Sequence, residues 1–103
     1  MILVKLLTKE LRAKLPALYS TEKSDDPIVH AKLFTPDSSW TWYVLEFDGD
    51  DRLFGYVVGL DNELGYFSLS ELESVKGPLG LAVERDLHFK PQPLSQVRAM
   101  HEG

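Results

Sequence analysis

The sequence predicts an α+β domain: a central antiparallel sheet of about four strands, run as a meander, with short helices at the N-terminus, after strand four and at the C-terminus. Three observations carry this expectation. First, 103 residues, 44% hydrophobic and 11% aromatic, suffice for one core and a single domain over 1–103. Second, successive stretches rich in β-branched and aromatic residues are separated by turn-forming residues. Third, helical spacing occurs before and after these stretches, and local connections join the strands without crossing loops.

The first element is a short amphipathic helix over Thr8–Leu15. Thr8 is a suitable N-cap, Leu7, Leu11, Leu15 and Leu18 recur at helical spacing, and Pro16 disfavours continuation. The polar stretch from Ser20 to Pro27 reads as a loop, and a mobile one. Strands follow over Ile28–Phe34, Trp40–Phe47 and Leu53–Leu60, divided by Thr35–Ser39 and Asp48–Arg52, both with hairpin chemistry. A fourth strand, Leu64–Leu69, follows the tight connection Asp61–Glu63.

Strict alternation would assign the core to Val29, Ala31 and Leu33, then Tyr43, Leu45 and Phe47, then Phe54, Tyr56, Val58 and Leu60. The opposite face, with His30, Lys32, Phe34, Trp40, Trp42, Val44, Glu46 and Val57, is mixed in character. Ser70 and Glu73 have capping-box spacing for a short helix, which Lys76–Gly80 ends. Leu81–Lys90 fits either a strand or a loop along the sheet. Pro91 and Pro93 oppose regular structure, and Leu94–His101 reads as a terminal helix capped by Ser95, packed with the Thr8 helix on one face of the sheet.

The absence of cysteine removes disulfides, a thiolate nucleophile and cysteine zinc sites, and fits a reducing cytosol. The apolar opening Met1–Leu7 is interrupted by Lys5 and is too short for a bilayer span or a signal peptide. A soluble, cytoplasmic protein with no membrane association is expected. The net charge of −5 conceals an asymmetry: residues 1–33 carry +2, residues 34–73 carry −8 and residues 74–103 carry +1. Such an acidic middle repels a phosphate backbone, which makes direct nucleic-acid binding unfavourable, and attracts a basic protein surface.

No motif specifies a reaction. Glu46, Asp48, Asp50 and Asp51 could offer oxygens to a divalent cation, but their spacing does not match a calcium loop, and solvated acids in a hairpin turn are the simpler reading. Paired carboxylates for glycoside hydrolysis would need a cleft and an acid of raised pKa. Ser38, His30 and Asp37 lie close in sequence, yet no nucleophile elbow or oxyanion loop accompanies them. Gly55, Gly59 and Gly65 fall in strands or turns, where they mark close packing, with Trp40 a candidate to lie across from Gly59. No cofactor is implied.

Several runs occur together: Phe34–Tyr43, the pairs Phe54-Gly55 and Val58-Gly59, Glu63–Leu69 with Glu71-Leu72, and Gly77–Leu81 with Glu84–Asp86. This combination, spanning about Leu6 to Val97, resembles a domain-of-unknown-function family of short bacterial proteins encoded largely on plasmids, integrative elements and phages. The resemblance implies bacterial origin and mobile-element biology, and carries over no catalytic residue. Met1–Lys5 resembles a variable start.

The resulting expectation is a non-enzymatic protein-binding accessory factor of mobile genetic elements, with counter-defence one such role, that binds a basic protein surface through Trp40, Trp42, Glu46, Asp48, Asp50 and Asp51. At least one tryptophan should be partly exposed. The alternative is a small metal-dependent or hydrolytic enzyme using the acidic turn at residues 46–51.

Overall fold

The computed structural model describes residues 6–102; the variable start over Met1–Lys5, and most of the apolar opening, lie outside them. The chain enters helix α1, Lys9–Lys14, where the Thr8 hydroxyl accepts from the Leu11 amide at 3.1 Å. That bond satisfies one of the orphan donors of the first turn. The helix stops at Leu15, already extended, because the residue before a proline is driven out of the helical region.

Seven strands follow in order: β1 Ile28–Val29, β2 Ala31–Phe34, β3 Thr41–Phe47, β4 Arg52–Val58 and β5 Asn62–Ser68; after helix α2, Leu69–Ser74, come β6 Glu84–Arg85 and β7 Gln92–Pro93, then helix α3, Leu94–Glu102. The main sheet has five strands in the order β5-β4-β3-β2-β6, every neighbour antiparallel, and β1 and β7 form a separate two-stranded sheet. The meander of four strands is therefore extended by β6, drawn from the stretch that fitted either strand or loop. Pro93 is accommodated in β7 because that short ribbon is only two residues wide and asks little of a residue with no N–H.

Both faces of the sheet are buried, which corrects the expectation of one core face. All seven residues of β3 are buried. One cluster gathers Ala31, Leu33, Trp42, Val44, Phe47 and Leu53 beneath Leu11 and Leu15 of the α1 segment and Leu69 and Leu72 of α2. The other gathers Val29, Tyr43, Leu45 and Tyr56 beneath Leu94 and Val97 of α3. The N- and C-terminal helices thus cover opposite faces, not one face. A central strand that is apolar on both sides must be covered twice, since each large side chain left in water forgoes about 1.5–3 kcal/mol of burial.

A bulge explains why strict alternation failed. Val44 pairs with Gly55 and Glu46 with Phe54, so Leu45 is an extra residue in β3. The insertion reverses the facing of everything after it. Phe47 joins Trp42 and Val44, while Glu46 turns to the side of Leu45. Beside the bulge the expected strand Ile28–Phe34 breaks at His30, whose amide donates to the Val44 carbonyl at 2.9 Å, and Val29 ends on the opposite face from Ala31 and Leu33. Leu60, expected in the core, is 92% exposed in the β4–β5 turn.

Gly55 leaves no room for a side chain: a Cβ there would lie 1.8 Å from the Tyr43 carbonyl oxygen. Gly59 lies under the Trp40 ring, as the spacing suggested, with a Cβ position 2.3 Å from it. Two helix caps differ from expectation. Ser68, not Ser70, caps α2, because the overlapping pair Ser68 and Glu71 has the same spacing and Ser68 ends a strand. At α3 the cap comes from elsewhere in the chain: Asp26 accepts from the Ser95 amide at 2.8 Å and from its hydroxyl at 2.6 Å. Among the described residues no helix is long and apolar enough to cross a membrane.

Candidate functional site: an acidic aromatic groove beside the edge strand

Glu46 organises a groove between the sheet, the segment after α1 and α3. The bulge aims its carboxylate away from the Trp42 face, and the side chain is only 2% exposed. It accepts from the Tyr19 amide at 2.8 Å, from the Thr21 amide at 2.9 Å and from the Thr21 hydroxyl. A buried carboxylate must satisfy its lone pairs, and here it does so with backbone from the segment after α1. Tyr19 is held at φ +69°, a left-handed conformation costly for a residue with a side chain. The strain is tolerated because three donors converge on one acceptor, and its outcome is that the Tyr19 ring stands 56% exposed at the rim.

Tyr66 and Leu64 of β5 line the same groove as Phe54 of β4 and Leu45 and Glu46 of β3, and Phe54 pairs across the sheet with both Tyr66 and Glu46. The Tyr66 ring lies 4.9 Å from Phe54 and 6.3 Å from Tyr19, centroid to centroid. Tyr66 and Leu64 remain 48% and 42% exposed. The far wall is α3, through Leu94, Ser95 and Arg98, and the remaining rim carries Glu22, Asp25 and Asp26. The cavity is ≈ 500 Å³. Its lining has four carboxylates and one cation, Arg98, which is engaged: it lies 3.6 Å from Glu102 and 5.0 Å from the centre of the Tyr56 ring.

The electrostatics follow from this composition. The Tyr66 phenol is held above its ordinary value of 10.0, first by lost hydration and then by Tyr19, Glu46 and Glu22. Lost hydration penalises a charge of either sign, so the preference for a positive one comes from the carboxylates Glu46 and Glu22 alone. The Tyr66 ring already carries the Arg52 guanidinium, 5.8 Å from its centre, and with the exposed Tyr19 ring it offers the kind of aromatic surface that accepts a lysine or arginine side chain.

The residues expected to form one acidic aromatic face are dispersed over three places. Trp40 is 38% exposed and stacks on Trp42 at 5.9 Å, while Trp42 is 8% exposed and belongs to the core. The pair lines an apolar groove with Val75 and Pro78, on the face opposite the Glu46 groove. Asp48, Asp50 and Asp51 occupy the turn at the other end of β3, about 20 Å along the strand from Trp42 at roughly 3.4 Å per residue. Within that turn Asp48 accepts from the amides of Asp50, Asp51 and Arg52 at 2.8–3.0 Å. Asp51 ties the turn to α2, accepting from the Ser68 and Ser70 hydroxyls and the Ser70 amide.

Those bonds have a chemical consequence. Asp48 is held below the usual 3.8 chiefly by the Asp50 amide, and Asp51 chiefly by the Ser68 hydroxyl. Neither is poised as a general acid. Among the described residues no three of His, Asp and Glu are grouped to hold a metal ion. Ser38 bonds Thr35 and the Trp40 amide, Asp37 accepts from the Leu79 amide, and His30 lines a different groove with Thr8 and Arg85. They do not assemble a triad.

Sequence reasoning missed Tyr19, Leu64, Tyr66 and Arg98. The alternation of Leu64 and Tyr66 across Gly65 was visible, but its exposure depends on β5 being the sheet's edge. Tyr19 immediately precedes the stretch Ser20–Pro27 that reads as a mobile loop, and nothing local announces that a glutamate 27 residues away anchors it.

The chain belongs to the family described as protein of unknown function (DUF2958), whose model matches residues 6–101. Comparison with curated proteins and with solved structures gave no match.

Proposed function

We propose that the protein is a non-enzymatic protein-binding factor that receives a basic partner surface in the groove between Tyr19, Tyr66 and α3. One observation carries the reading: buried Glu46 spends its hydrogen bonds holding Tyr19 in a strained backbone state that opposes its ring to Tyr66 over a negatively charged cavity. Residues held in strained backbone conformations cluster at active sites and ligand clamps, which supports a contact role for the rim at Tyr19. The acids steer a basic partner, and the rings supply the affinity that rim charges lack. In the setting that the family resemblance implies, such a factor would serve a mobile genetic element as an accessory, counter-defence among its tasks. The acidic turn gives the enzymatic alternative no comparable support, because Asp48 and Asp51 are committed to their own backbone.

The test is quantitative capture from a bacterial lysate followed by titration of the recovered partner at two salt concentrations. Tyr66→Ala should weaken binding at least tenfold, Glu22→Gln with Asp25→Asn should reduce its salt dependence, and Trp40→Ala should leave both unchanged. Equal binding by wild type and Tyr66→Ala overturns the assignment, as does recovery of nuclease-sensitive material alone.

A further inference from the structure

We propose that the partner's basic segment docks as an additional strand on the free edge of β5, an inference that rests on the groove reading above. β5 runs seven residues, Asn62–Ser68, and pairs with β4 without a break from Arg52↔Ser68 to Val58↔Asn62. It is the terminal strand of its sheet, and among the described residues no other strand pairs with its outer side. Every second residue therefore turns its amide and carbonyl toward solvent along about 20 Å of edge, at roughly 3.4 Å per residue.

Edges of this kind are normally protected by lysine, proline, a bulge or brevity. β5 is long, has no lysine or proline and keeps a regular register; in its sequence, Asn-Glu-Leu-Gly-Tyr-Phe-Ser, the one charge is Glu63, which deters an acidic neighbour and not a basic one. The opposite edge, β6, is only two residues long. A long, regular edge whose exposed side chains already line a groove is the geometry of strand addition, where backbone bonds give affinity and alternate side chains give specificity.

Charge selects the occupant. Asp61 and Glu63 lie at the edge, and Glu22 and Asp25 share the groove with Leu64 and Tyr66. A second copy of the chain would set this acidic edge against itself, and like charges facing across strands repel. A segment with lysine or arginine at alternate positions instead sets its cations toward Tyr19 and Tyr66.

The probe is a heptapeptide alternating lysine and valine, compared with two derivatives, one N-methylated at residues 3 and 5 and the other at residues 2 and 4. Methylation keeps charge and side chains while removing the donors of one edge. Strand addition predicts that the parent peptide slows hydrogen exchange at alternate amides of Asn62–Ser68 by at least tenfold. One methylated derivative should bind at least tenfold more weakly than the other. Equal binding of all three peptides without β5 protection overturns strand addition and leaves the groove reading intact, since the side chains suffice. Failure of every peptide to bind overturns both. Concentration-dependent protection of β5 in the protein alone assigns the edge to a second copy and refutes the basic occupant.

Discussion

Replacing Glu46 with alanine tests whether one buried carboxylate holds the site together. The side chain is 2% exposed and accepts two backbone amides and a hydroxyl from Tyr19 and Thr21. Hydrogen bonds to a charged acceptor contribute about 1.5–3 kcal/mol each, and the donors lie close enough to the surface for water to replace part of that, so the three together come to about 3 kcal/mol. In a domain of this size about 1 kcal/mol corresponds to roughly 4–8 °C, which places the loss in Tm at roughly 12–24 °C. Glu46→Gln should fall about halfway, because its amide oxygen replaces one acceptor while its NH₂ opposes a Thr21 donor. Urea unfolding followed by tryptophan fluorescence gives the free energies, and hydrogen exchange at the Tyr19 and Thr21 amides localises the effect. A Glu46→Ala protein within about 1 kcal/mol of wild type, with both amides still protected, would refute the reasoning, since three bonds to a buried charge could not then carry the segment.

Four further outcomes are expected. Gly55→Ala should cost more than about 4 kcal/mol or prevent folding, because the new Cβ would meet the Tyr43 carbonyl of a strand buried on both faces; a well-folded variant by circular dichroism would show that the β3–β4 pairing can shift. Acrylamide should quench mainly Trp40, so that Trp40→Phe removes most of the accessible emission and Trp42→Phe does not. The His30 imidazole is held below its usual 6.5 by burial and then by the charge of Lys14, so the unfolded chain takes the proton more readily; stability should decline as pH falls below 6.5, and His30→Gln should flatten that slope in urea midpoints between pH 7.5 and 5.5. Asp51 is held below 3.8 by the Ser68 and Ser70 bonds, so its contribution is present above that pH and lost as acid protonates it in the folded state; Asp51→Ala should lower stability at neutral pH and weaken the acid dependence below pH 4.

The sequence by itself determined the local events. Thr8 and Pro16 bound a short helix, the Asp48–Arg52 and Asp61 turns connect antiparallel strands, and each follows from chemistry within a few residues. The family resemblance over Leu6–Val97 was legible for the same reason, since its motifs are contiguous runs. Tertiary structure decided what depends on parity and on order within the sheet. One extra residue at Leu45 reversed the facing of Glu46 and Phe47, which no count of alternating residues reveals. It converted a presumed surface acid into the buried anchor of Tyr19, while the second layer of helix turned the Trp42 face into core. The meander already set its fourth strand at an edge; the tertiary structure decided that β6, from 84–85, extends the opposite end of the sheet and that β5 keeps its outer side without a strand partner among the described residues. Alternation along a strand tells which residues share a side; only the packed neighbours tell which side meets water.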